Sequence, residues 1–209
     1  MATSYNQIAG RSVERLAALS DGIFAVAMTL LVLDIHVPGA AGIHGEGELW
    51  RALVALAPQL VMFALSFLTL GIFWVGQQTQ LNHLTRAHRS LVWCHILFLF
   101  TVSIMPFSTR LLAEFTTYRV ALVAYWANIL LAGAALYVSW MCAIDLGLVS
   151  PDLPVEASDA IKRRIVIAQT LYACGALFCI VNTYWSIGAI VLVQLYYAVA
   201  PRIGRRPAG

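Results

Sequence analysis

Two carboxylates, Asp21 and Asp34, bracket a stretch from Gly22 to Leu33 that is apolar except for Thr29. A carboxylate at the end of a membrane helix costs free energy unless something pairs with it, and chains that keep such groups usually use them. Arg15 and Ser20 precede the stretch. These residue types suit cation attraction, a proton relay or a structural ion-pair network. A lone hydroxyl in an apolar run can also replace the water around an ion. Other reactive residues form no comparable set. His83, His88 and His95 lack the spacing of a metal motif. Cys94 and His95 are sequence neighbours, which points their side chains apart on a helix. Cys94, Cys142, Cys174 and Cys179 contain no C-x-x-C pair and all lie in apolar segments, so they read as buried free thiols. No constellation for an enzyme is present, and no cofactor or bound metal is expected.

The elements that must position these groups are membrane helices. The 209-residue chain is 61% hydrophobic and 11% charged, with mean hydropathy +0.80. A water-soluble domain of this size does not need so much apolar surface. The charges collect in short clusters between apolar runs, as in a polytopic helical membrane protein. The basic residues sit beside those runs, so the net charge of +3 is no argument for nucleic acid. Residues 1–209 form one domain, because no linker separates two. Residues 22–33 could pass for the apolar part of a signal peptide. The run ends in Asp34-Ile35-His36 without a small-residue cleavage site, and it reads as a retained helix.

Six helices are expected, over about 13–36, 49–76, 90–110, 118–144, 161–181 and 184–200. Pro58 predicts a kink in the second. The apolar residues 165–200 would make a single helix of about 54 Å, too long for a core of roughly 30 Å, and Asn182-Thr183 marks the break. Ten Lys and Arg fall on one side: Arg11, Arg15, Arg86, Arg89, Lys162, Arg163, Arg164, Arg202, Arg205 and Arg206. Arg51, Arg110 and Arg119 fall on the other. That asymmetry places both termini in the cytoplasm. An even helix number is required for this, which supports six. No internal repeat is visible, which weakens the case for an alternating-access carrier.

On a helical wheel with Asp21 at zero, Gly22, Val26, Thr29 and Leu33 fall between about 80° and 140°, with Leu30 near 180°. Asp21 lies away from this stripe. One reading of the stripe is helix packing: Ala18, Gly22 and Ala25 let backbones approach, and Thr29 satisfies its hydroxyl on the Ala25 carbonyl. The sharper reading is a pore lining with rings of Val26, Thr29 and Leu33, which demands an oligomer. Asp21 needs donors. Arg15 is one candidate. Others lie near the cytoplasmic ends of the second and third helices: Trp74, Gln77, Gln78, Asn82, His83, His88, Trp93 and His95.

Arg15, Ser20-Asp21-Gly22 and the run through Thr29-Leu30-Leu31-Val32-Leu33-Asp34-Ile35 closely resemble the first-helix signature of the transmembrane protein 175 family. These are potassium channels of bacterial cell membranes and of lysosomes. Phe73-Trp74, Arg86, Leu91-x-Trp93 and Pro106-Phe107-Ser108-Thr109 extend the resemblance. It implies an all-α integral membrane protein of six helices, assembled as a homotetramer with the first helix lining a central pore. The only partners implied are copies of the chain and the bilayer. By the same resemblance Val26, Leu30 and Leu33 form an apolar constriction, and Thr29 a layer tied to potassium preference. Arg15, Ser20 and Asp21 bind polar residues of helices two and three, here Trp74, Gln77, Trp93 and His95. The chain departs from the pattern at three points. Leu19 stands where the family has Phe, Gln77 where it has His, and His95 where it tends to have Asn. The expected activity is passive, potassium-preferring conduction in a bacterial cell membrane. A proton-coupled or small-solute carrier and a non-conducting scaffold are the alternatives.

Overall fold

The computed structural model describes residues 12–40 and 42–199. Arg11, Arg202, Arg205, Arg206 and residue 200 of the expected last helix lie outside the described residues. The described chain is helical: α1 (Val13–Leu33), α2 (Glu46–Ala55), α3 (Ala57–Leu81), α4 (Arg89–Glu114), α5 (Arg119–Asp145), α6 (Val155–Leu177) and α7 (Thr183–Val199). A single 3₁₀ turn, Phe178–Ile180, follows α6. Among the described residues five helices are long and apolar enough to cross a membrane: α1, α3, α4, α5 and α6 with its turn. The chain is a multi-pass membrane protein.

Local chemistry sets the ends. Ser12 caps α1, its Oγ accepting from the Arg15 backbone N–H at 3.1 Å, which satisfies an otherwise unpaired first-turn donor. The expected second helix is not continuous. α2 stops at Ala55, and a new helix starts at Ala57 with Pro58 in its first turn. Proline there has no N–H to give the Val54 carbonyl, and its ring clashes with that residue. A first turn tolerates it and a helix interior does not. α3 also continues past the expected end at 76 to Leu81, so Gln77 and Gln78 are helical. α4 runs on to Glu114 with Pro106 inside it, and α6 begins at Val155 rather than at 161. The expected break holds at Asn182, whose Oδ1 accepts from the Tyr184 N–H at 2.8 Å and starts α7. α6 and α7 then pack closely: Ser186 Oγ donates to the Gly175 carbonyl at 2.7 Å.

Contacts at the helix ends sort them into two groups. The α3–α4 and α5–α6 links meet through Ser150 N–H to His83 O (2.8 Å) and Thr85 N–H to Leu148 O (2.9 Å). Gly147, at φ +61°, turns the chain into the second link. At the opposite end Arg119 Nη2 donates to the Ile180 carbonyl at 3.0 Å, joining the start of α5 to the turn after α6.

Leu16, Ser20, Phe24, Ala27 and Leu31 recur every three or four residues and form the buried face of α1. Phe24 meets Phe98 of α4 at 6.0 Å between ring centroids, and Phe98 meets Phe73 of α3 at 6.1 Å. Lipid is as apolar as these rings, so close packing and buried hydrogen bonds hold the helices together rather than water exclusion. One such cluster lies in the middle of the bundle. Thr109 Oγ1 donates to Ser66 Oγ at 2.7 Å, and Ser66 Oγ donates to the buried Tyr125 hydroxyl at 3.2 Å. Gln194 of α7 donates to Thr69. The cluster ties α3, α4, α5 and α7 together, and it is not evident from the sequence. Its only local signal is the i,i+3 spacing of Ser66 and Thr69 in an apolar run.

Candidate functional site

The site is built on α1 and its two edges. Opposite the buried face, Val26 is 55% exposed, Leu30 43% and Leu33 71%, so among the described residues nothing covers this stripe. Thr29 is exposed in the same stripe. Its Oγ1 lies 3.0 Å from the Ala25 carbonyl and 2.8 Å from the Val26 carbonyl. The single hydroxyl proton is therefore turned back to the helix, and the oxygen lone pairs are left for another partner.

Two separate hydrogen-bond sets anchor this helix. Asp21 is exposed at the edge of the stripe, and its Oδ1 accepts from Trp74 Nε1 and from Gln78 Nε2, each at 2.8 Å. Both donors come from α3. Ser20, on the buried face, donates to the Leu16 carbonyl at 2.8 Å, and its Oγ lies 3.1 Å from His95 Nε2. Gln77 Nε2 lies 2.9 Å from that same imidazole nitrogen. Ser20, Gln77 and His95 are all buried, so α1, α3 and α4 share a polar contact out of solvent, where leaving one member unpaired is costly.

Among the residues singled out from the sequence, Ser20, Asp21, Trp74, Gln77 and His95 come together as these two sets. Arg15 and Trp93 are not brought in. Arg15 is exposed, and among the described residues its side chain joins neither set; its backbone N–H donates to Ser12 Oγ. Trp93 is 60% exposed, on a different face of α4 from His95. Two residues apart on a helix differ by about 200°, so one face cannot serve both. Gln78, one of several candidate donors, takes a central place.

At the far end of α1, Asp34 Oδ1 lies 3.6 Å from Arg110 Nη1, and Arg110 Nε lies 3.9 Å from Glu114 Oε2. His36 Nδ1 lies 3.0 Å from the Asp34 carbonyl, to which it donates. These groups, with Gln59 and Thr109, line a cavity of about 360 Å³. Asp34 stands out in the sequence, but its pairing with Arg110 does not, because 76 residues separate them.

Comparison with known proteins agrees with this geometry. The family model described as endosomal/lysosomal potassium channel TMEM175 matches residues 15–106. A protein of Streptomyces collinus named a potassium channel is 32% identical over 188 residues, which is 88% of this chain and 90% of that protein. A potassium channel of Chamaesiphon minutus is 30% identical over 189 residues, 88% of this chain and 93% of its own length. The Gallus gallus endosomal/lysosomal proton channel TMEM175 is 34% identical over 109 residues, half of this chain and 22% of that longer protein. The crystal structure of a lysosomal potassium-selective channel TMEM175 homologue from Chamaesiphon minutus superposes with a TM-score of 0.78 at 27% identity. It covers 91% of this chain and 98% of that one.

Proposed function

The chain belongs to the TMEM175 channel family, and from that premise we propose that it is a passive, potassium-preferring cation channel of a bacterial cell membrane, built as a homotetramer around four copies of α1. The observation that carries the reading is the uncovered stripe of Val26, Thr29, Leu30 and Leu33, set on a helix whose opposite face is buried and whose edge is fixed by Asp21. Four stripes facing one axis make rings. Apolar rings of Val26, Leu30 and Leu33 resist wetting and set the constriction. The Thr29 ring offers four hydroxyl oxygens whose protons are already committed to the helix backbone, so negative partial charge faces the ion. Ser20, Gln77 and His95 on the buried side, with Asp21, Trp74 and Gln78 on the edge, hold the rotation of α1 about its axis. That rotation decides which residues form the rings.

Six spans and cytoplasmic termini belong to the same proposal. α7 has 17 residues, about 25 Å of helix, close to the thickness of a bilayer core. Asp21 near the start of α1 bonds the end of α3, and Arg164 near the start of α6 lies over Tyr197 near the end of α7. These contacts support one common end for both termini, the end that carries Arg86, Arg89 and Lys162 to Arg164.

The test is cation flux into liposomes holding the purified protein, with potassium, sodium and protons measured in parallel. Faster potassium flux, a weaker preference in Thr29→Ala and a larger flux in Leu33→Ala are expected. Unchanged flux and selectivity in both variants, in folded tetramers, would remove the pore role of α1. Saturable flux would favour a carrier, and folded oligomers without flux a scaffold. The proton arm matters because the longer animal relatives are named proton channels.

A further inference from the structure

A second feature of the bundle lies away from α1. A cleft runs between α3, α5, α6 and α7 at the end of the bundle where α3 stops and α6 starts. Phe73, Gly76, Leu136, Ile165, Ala168 and Tyr172 line it. No carboxylate lines it, and its one formally charged residue is Arg164. The Arg164 guanidinium lies over the Tyr197 ring, 5.6 Å from its centroid, and among the described residues no acidic side chain pairs with it. Its neighbour Lys162 differs, being paired with Asp159 at 2.6 Å. Gly76 of α3 lies on this face, where a Cβ would stand at ordinary contact distance, 3.6 Å, from Leu136.

We propose that this cleft binds an anionic phospholipid, with one acyl chain between α3 and α6 and the phosphate on Arg164. The chemistry selects this occupant on two counts. A mainly apolar trough between membrane helices, with Thr79, Gln80 and Gln169 as its neutral polar members, takes a hydrocarbon chain. An uncompensated guanidinium at its end, placed over a tyrosine ring, offers a planar fork to phosphate oxygens. Basic pockets between membrane helices on the cytoplasmic side recognise acidic headgroups in this way. The cytoplasmic placement rests on the orientation given above. The lipid site itself does not depend on conduction. A bound chain would fill the space between α3 and α6, and α3 also carries Trp74, Gln77 and Gln78, which hold the pore helix. Lipid occupancy would therefore stiffen the scaffold behind α1.

Native mass spectrometry of the purified full chain, supplied with phosphatidylglycerol or phosphatidylcholine, reads lipid binding without any flux measurement. Phosphatidylglycerol retained in preference to phosphatidylcholine is expected. Arg164→Gln should lower that retention roughly fivefold, corresponding to about 1 kcal/mol for one basic residue near a charged lipid. Arg163→Gln, an exposed neighbour that does not line the cleft, should leave it unchanged. Ala168→Trp, which fills the trough, should abolish retention of both lipids. Equal retention of the two lipids overturns the proposal. So does an equal effect of the two arginine variants, which would mean general surface attraction. Failure of potassium flux with lipid selectivity intact would remove the channel reading alone. Loss of selectivity with flux intact would remove the lipid site alone.

Discussion

The side-chain amide of Gln77 on α3 meets the imidazole of His95 on α4 across 2.9 Å. These are two of the three positions at which the chain departs from the pattern of the family it resembles, where histidine and asparagine are expected. By that expectation the amide and the ring each stand on the other's helix. The same imidazole nitrogen lies 3.1 Å from Ser20 Oγ.

The reciprocal swap tests this exchange. Gln77→His and His95→Asn should each lower stability by about 1–2 kcal/mol, because each singly mismatches a buried pair. The double variant should recover at least half of the summed loss, since residues in contact are not additive. Thermal unfolding of the solubilised protein, followed by intrinsic fluorescence, gives all four corners of the cycle. Strict additivity would show that the pair is not coupled.

Asp21 accepts from two donors on α3, so its variants should be graded. Trp74→Phe removes one bond and Asp21→Ala removes both, with Asp21→Asn between them. The carboxylate is exposed, so the largest stability loss should be only about 1 kcal/mol, below the usual worth of buried charged hydrogen bonds. The effect on flux should be larger than the effect on stability, because a turned α1 misplaces every ring at once. Parallel melting and potassium-flux measurements separate the two. Flux that merely tracks the folded fraction would contradict this anchoring role.

Arg110 sits 3.6 Å from Asp34 at the C-terminal end of α1, and its side chain is more than half exposed. As a stabilising ion pair it should be worth under about 1 kcal/mol. Its electrostatic effect should be plainer. Arg110→Gln leaves Asp34 and Glu114 uncompensated beside the proposed pore mouth, which should raise potassium flux at low ionic strength. The gain should shrink as salt shortens the screening length to roughly 8–10 Å. A salt-independent change, or a fall in flux, would show that Arg110 acts in another way.

Gly133 on α5 lies where a Cβ would overlap the side-chain amide of Gln169 on α6. Gly133→Ala should force that side chain from its position, at about 1–3 kcal/mol of overpacking. Gln169→Ala should relieve most of this loss in the double variant. The comparison needs only unfolding curves. A double variant as unstable as Gly133→Ala alone would locate the strain in the helix backbone instead.

Much of this protein was legible one element at a time. The two faces of α1 follow from 3.6-residue periodicity, so the wheel placed Val26, Thr29, Leu30 and Leu33 together, opposite Phe24. The break at Asn182 follows from the length of a bilayer and from one capping side chain. The start of α3 at Ala57 was half visible: Pro58 announced a disturbance, and the structure turned the expected kink into a new helix. The partners were not legible, because they depend on the register between helices more than fifty residues apart. The sequence offered many donors for Asp21, and the packing of α3 against α1 chose Trp74 and Gln78. It placed Ser20 beside Asp21, and the helix turned the two to different neighbours, one buried and one exposed. Arg15 and Trp93 carry suitable groups but point elsewhere. Local patterning determines which face a residue occupies; only tertiary packing decides what that face meets.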